Sequence, residues 1–178
     1  MTALRQEQVD AAQAFANAAI EALRTERGVH AETAVTGVAR MAGSFLFHSF
    51  GFAQLDVRPG QPVLSDQANE RGPQLVSLLG GVLGEIGVTL DRGRLGGDGR
   101  ANEPLQDLLA TQQLLGPAFA AIRARHGLSL PEAADAAAVA TAFLMHQCAA
   151  VLDPHVAFGL AVYGFAEGSK TMPAGVAL

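Results

Sequence analysis

One cysteine, one tyrosine and no tryptophan occur in 178 residues, and only 16% of the residues are charged. With Cys148 alone, neither an internal disulfide nor a multi-thiolate zinc site can form, and nothing points to an oxidising compartment. Lysine and arginine number 12 against 17 acidic residues, leaving a net charge of −5 and a pI near 5.4. Such an acidic chain has no global field to attract phosphate backbones, so nucleic acid is not expected as a partner. Between Ala136 and Ala166 only Asp153 is charged, yet His146, Gln147 and the Asp153-Pro154 pair divide the stretch before it reaches the ~20 apolar residues of a membrane span. It reads as core or subunit interface, with no membrane partner. No apolar run follows a basic start at the N-terminus, so no secretory signal is expected and the cytoplasm is the default location. Period-2 alternation is also missing, which excludes a strand-built fold.

What is present is apolar and helical. Hydrophobic residues make up 49% of the chain and its mean hydropathy is +0.24. Soluble domains usually carry ~25% charged residues, so part of this surface is expected to be covered. The length suits one domain that buries roughly 70% of its unfolded surface. Residues 3–27 place Val9, Ala12, Phe15, Ala16, Ala19, Ile20 and Leu23 on one arc, an amphipathic helix stopped at Gly28. A second helix, about 32–50, is apolar nearly all round and should be central. Residues 53–66 read as a loop, followed by a helix to Gly87 that begins near Asp66 or Pro73. The glycine-rich run 91–102 reads as a mobile linker. Asn102 is a candidate N-cap for the next helix, with a kink or break at Gly116-Pro117 and a stop at Gly127. Ser129 with Glu132 forms a capping box for a helix reaching about Leu152, and Asp153 with Pro154 starts a last one ending near Gly168, before a loose tail, 169–178. The expected fold is all-α, a single-domain bundle of about six helices. Phe45-Leu46-Phe47-His48 echoes Phe143-Leu144-Met145-His146, and Gly28 echoes Gly127, which suggests two helix-Gly-helix units related by a pseudo-twofold.

Chemistry-bearing residues concentrate on the second helix, where Thr33, Thr36, Arg40, Ser44 and His48 recur at spacings of three and four. If these met His146 in one pocket, Arg40 would clamp an anion, His48 would serve as acid or base, and Ser44 would donate a hydrogen bond. The alternative is a half-buried polar face, with Arg40 paired to a carboxylate such as Asp135. His146 lacks an i, i+3 or i, i+4 ligand partner, no metal-binding spacing occurs, and no cofactor or metal is expected. The glycine loop Gly93–Gly99 lacks the Gly-Lys-Ser/Thr of a phosphate cradle.

Glycines inside helices cost about 1 kcal/mol each relative to alanine, so packing must offset them. Gly80, Gly84 and Gly87, and Ala157, Ala161, Gly164 and Gly168, give two smooth faces. These suit close helix contact or a groove for a flat apolar ligand lined by Phe45, Phe47, Phe143 and Phe158. The chain is therefore expected to be a non-catalytic helical interaction module that forms a homo-oligomer, a dimer, through its C-terminal helices. A small-ligand-binding protein or enzyme, with a pocket lined by Arg40, Ser44, His48 and His146 and an apolar or anionic ligand, is the alternative.

Overall fold

Each helix begins and ends where local chemistry satisfies its unpaired backbone groups. A computed structural model describes residues 4–52, 56–95, 103–175 and 178, with the Arg92 side chain left undescribed. Its helices are α1 (Gln6–Leu23), α2 (Ala31–Ser49), α3 (Asp66–Glu85), α4 (Leu108–Arg125), α5 (Leu130–Cys148) and α6 (Pro154–Lys170), with a single 3₁₀ turn at Arg92–Arg94 and no strand among the described residues. The Ser65 hydroxyl caps α3 by accepting from Ala68 N–H, Asp107 caps α4 through Ala110 N–H, and Asp153 caps α6 through His155 N–H. At α5 the Ser129 hydroxyl accepts from Glu132 N–H while the Glu132 carboxylate accepts from Ser129 N–H at 2.9 Å, the reciprocal box expected from the spacing.

Three expectations are corrected here. α4 begins after Asp107, and Asn102 lies outside the described residues, as does the 96–102 part of the expected linker. α4 also runs unbroken through Pro117, because the carbonyl deprived of its N–H partner belongs to Gln113, which is exposed and can bond to water. The tail is helical through Lys170 and held in place as far as Ala174, as described below.

The centre of the molecule is α2, with sixteen of its nineteen residues buried. On one side it lies antiparallel to α5, whose last residue Cys148 sits within electrostatic reach of Glu32 at the start of α2. On another it lies parallel to α6: a Cβ at Gly164 would meet the Thr36–Arg40 turn, and one at Gly168 would meet the Arg40–Ser44 turn. Phe15, Phe45 and Phe119, each fully buried, join α1, α2 and α4, with centroids 4.5 to 6.4 Å apart. The start of α1 is tied to the start of α5 by Arg5 and Glu132 at 2.6 Å. α3 and α6 run antiparallel, joined by Lys170 Nζ to Asn69 Oδ1 at 2.8 Å and, beyond the other end of α3, by Asp91 N–H to His155 Nε2 at 2.9 Å.

The expected pseudo-twofold of two helix-Gly-helix units is not carried by those helix pairs; only the pattern of which helices touch repeats, over three helices each. Exchanging α1-α2-α3 with α4-α5-α6 converts the α1–α5 contact into α4–α2 and the α3–α5 contact into α6–α2, and returns α1–α4, α2–α5 and α3–α6 to themselves. The hairpins differ: α1 packs on α2, whereas α4 and α5 diverge by 115° and scarcely touch. Gly28 and Gly127 both take positive φ, 95° and 62°, which a Cβ would oppose.

Candidate functional site

The polar stripe of α2 faces inward. Arg40 is 3% exposed, its Nε donates to Glu167 Oε2 on α6 at 2.5 Å, and its Nη1 donates to the Gln106 carbonyl at 2.5 Å. A longer bond reaches the Thr111 hydroxyl at 3.4 Å. Glu167 also accepts from the Tyr163 hydroxyl at 3.2 Å. Its partner is therefore Glu167 and not Asp135, whose carboxyl is raised above its usual range by burial and eased by Arg71. A guanidinium whose bonds are met inside the chain cannot clamp an external anion without breaking them.

Ser44 is fully buried; its hydroxyl donates to the Arg40 carbonyl at 2.8 Å and accepts from Gln112 Nε2 at 2.8 Å. The Gln112 carbonyl oxygen in turn accepts from Ala174 N–H at 2.7 Å. Thr33 accepts from Leu105 N–H at 2.9 Å. The stripe thus fastens α4, α6, the segment before α4 and the C-terminal segment to the central helix. Glu167, Gln112, Thr111 and Tyr163 are the functional partners that sequence spacing did not single out; only Tyr163 and Glu167, four apart on one helix, carried a local signal.

His48 and His146 are not brought together. α2 and α5 are antiparallel, so His48 near the end of α2 and His146 near the end of α5 lie at opposite ends of the pair, roughly 20 Å apart at 1.5 Å per residue. His146 is exposed. The His48 ring is half-buried, its Nε2 has no hydrogen-bond partner among the described residues, and burial lowers its pKa from the usual imidazole value. Arg40 and Ser44 are thus neighbours in one buried network, while His48 and His146 stand apart from each other. Among the described residues no group of three His, Cys, Asp or Glu side chains could hold a metal ion. Burial and the nearby Glu32 raise the Cys148 thiol pKa, which suppresses thiolate reactivity.

The glycine faces separate into a used one and an open one. Gly43, Gly164 and Gly168 let α2 and α6 touch backbone to backbone: a Cβ on Gly43 would stand 2.5 Å from the Phe165 carbonyl oxygen, and one on Gly168 would collide with the Arg40 carbonyl. The C-terminal glycine face expected to join subunits is therefore consumed inside the protomer. Around Gly72, Gly80 and Gly84 on α3 there is no heavy atom within 4 Å of an added Cβ, and the same holds for Gly159 on α6. Of these, Gly72 lines a cleft of about 410 Å³ between α3 and α6, together with Pro73, Val76, Val162, Phe165 and Ala166. Of the phenylalanines proposed for an apolar groove, Phe45 belongs to the core, Phe47 is buried, and none lines this cleft.

No family model, no curated protein and no solved structure matches the chain. No single helix among the described residues is long and apolar enough to cross a membrane.

Proposed function

We propose that the protein is a non-catalytic helical interaction module, cytoplasmic, that self-associates through the outer face of α3 and α6. The observation that carries this is an uncharged, half-open face. α3 has no charged residue between Arg71 and Glu85, α6 has none between Asp153 and Glu167, and the glycines along it have open space where a neighbouring backbone would fit. A second copy suits it because an isologous contact needs only one surface that complements itself, and the middle of this face carries no charge that docking would have to desolvate. Isologous docking would also cover the apolar surplus that the low charged fraction leaves.

The test is the mass in solution at micromolar concentration. The wild-type chain is expected to be dimeric and Gly84→Arg monomeric with unchanged helicity, since Gly84 is exposed and nothing lies within 4 Å of a Cβ added there. A monomeric wild type would overturn the proposal.

A second function rests on the α3–α6 cleft, whose volume is that of a site for a small molecule. Its walls are apolar, with Asn69, Ser77, Ser169 and Lys170 as the polar groups, so a small apolar ligand with one acceptor or anionic end would fit. The enzyme alternative built on Arg40, Ser44, His48 and His146 gains no support, because the first two are spent on internal bonds. Ligand binding predicts that thermal stability rises with small apolar carboxylates and that Val76→Trp abolishes the rise.

A further inference from the structure

The cleft between α3 and α6 carries its charge at one point. Of the side chains that line it, Lys170 alone is ionised, and the rest are neutral, chiefly apolar: Pro73, Val76, Val162 and Phe165. Among the described residues the Lys170 ammonium meets the Asn69 amide oxygen at 2.8 Å and no carboxylate within ion-pair distance. Glu167, the one carboxylate of α6, is held against α2 by Arg40. An ammonium has three N–H donors, so two remain for a ligand.

Both residues stand on fixed backbone at the same end of the cleft. Gly168, two residues before Lys170, is pressed on the Arg40–Ser44 turn of α2, and the Lys170 carbonyl accepts from Val63 N–H at 2.7 Å. On the facing helix, Asn69 N–H donates to the Ser65 carbonyl at 3.3 Å, in the turn that the Ser65 hydroxyl caps. With its oxygen turned to Lys170, the Asn69 amide keeps its Nδ2 donors for a second acceptor atom. The two hydroxyls in the wall are no rivals as donors: Ser77 donates to the Pro73 carbonyl at 3.0 Å and Ser169 to the Ala166 carbonyl at 3.4 Å. The side-chain donors left for a ligand therefore sit together, beside the only charge, with an apolar wall leading away from them.

We propose that Lys170 and Asn69 are the head-group clamp of this cleft and that its ligand is an apolar monocarboxylate of the fatty-acid kind, one oxygen bonded to Nζ and the other to the Asn69 amide. This rests on the ligand-binding reading of the cleft and narrows it. A neutral acceptor leaves the charge of the ammonium unanswered, and a dicarboxylate would press a second charge on Val76 and Phe165 without a partner. Inorganic phosphate or acetate gains nothing from the apolar wall.

The test is calorimetric titration of the full chain with octanoate and with octanamide, which has the same tail and no charge. Octanoate is expected to bind at least about tenfold more tightly, the effect of one charge-assisted hydrogen bond. The margin should shrink with added salt, because Lys170 is partly exposed. Lys170→Arg should keep the preference and Lys170→Met should erase it. Asn69→Asp, at an exposed position, sets an internal carboxylate beside Nζ and should erase it too, a check that does not require the Lys170→Met chain to fold. Equal binding of the two ligands by the wild type, or a preference that survives Lys170→Met or Asn69→Asp, overturns the clamp while leaving the cleft a binding site. Binding of neither ligand, or octanoate binding indifferent to Val76→Trp, overturns the ligand-binding reading itself and this inference with it.

Discussion

Replacing Gly168 by alanine tests the packing at its tightest point. The added methyl would collide with the Arg40 carbonyl and stand 2.9 Å from Ser44 N and 3.0 Å from Gly43 Cα. All three are backbone atoms of the central helix, so no side-chain rotation relieves the clash and α6 must move off α2. Overpacking of this kind costs about 1–3 kcal/mol. Alanine recovers up to about 1 kcal/mol of helix propensity, and displacement of α6 also strains the Arg40–Glu167 pair, so a net loss of about 2 kcal/mol is expected. For a chain of this size that lowers Tm by about 4–8 °C. Gly80→Ala is the matched control: nothing lies within 4 Å of the new methyl, so only the propensity gain remains and Tm should rise by about 2–4 °C. Urea and thermal unfolding followed by circular dichroism measure both. A Gly168→Ala chain as stable as the wild type would refute the close approach of α2 and α6.

Other outcomes follow from the same contacts. Glu167→Leu strands a guanidinium that is 4% exposed and should cost about 3 kcal/mol by urea unfolding, whereas Arg40→Met with Glu167→Leu should cost less than the sum of the single changes. His48 has its pKa lowered by burial in the folded chain, so the stability it contributes is complete above its unfolded pKa of about 6.5 and is lost as pH falls through the folded value. His48→Gln should therefore flatten the acid side of the stability curve, and an unchanged slope would count against it. At Asp153, bonds from the His155 backbone and side chain, aided by Arg94, hold the carboxyl down at about 2. Its cap to α6 should persist until pH falls below its ordinary value and fail near pH 2, a loss that Asp153→Asn would abolish in exchange measurements on the first turn of α6. Ser129→Ala removes the cap of α5 and should cost about 1 kcal/mol.

Features set by neighbours along the chain were legible in the sequence. Ser129 with Glu132, Asp153 with Pro154, and the amphipathic arc of α1 each state a local hydrogen-bond or burial requirement, and each helix starts or faces as those residues demand. Features set by distant residues were not. Arg40 takes a carboxylate 127 residues away, although Asp135 offered a similar charge. Gly80 and Gly84 look in sequence like Gly164 and Gly168, yet one pair is open and the other pressed against α2, because which side of a helix meets a neighbour depends on the whole arrangement. Pro117 belongs with these: the carbonyl it leaves without a donor is that of Gln113, on the exposed side of α4, a placement that depends on how the helix packs.

Sedimentation equilibrium of the wild-type chain beside Gly84→Arg bears most directly on the proposed role. The uncharged α3–α6 face predicts twice the monomer mass for the wild type at micromolar concentration, and the monomer mass for a variant whose circular dichroism and melting are preserved. A wild-type chain that stays monomeric over that range, or a Gly84→Arg chain that dimerises equally well, would contradict it.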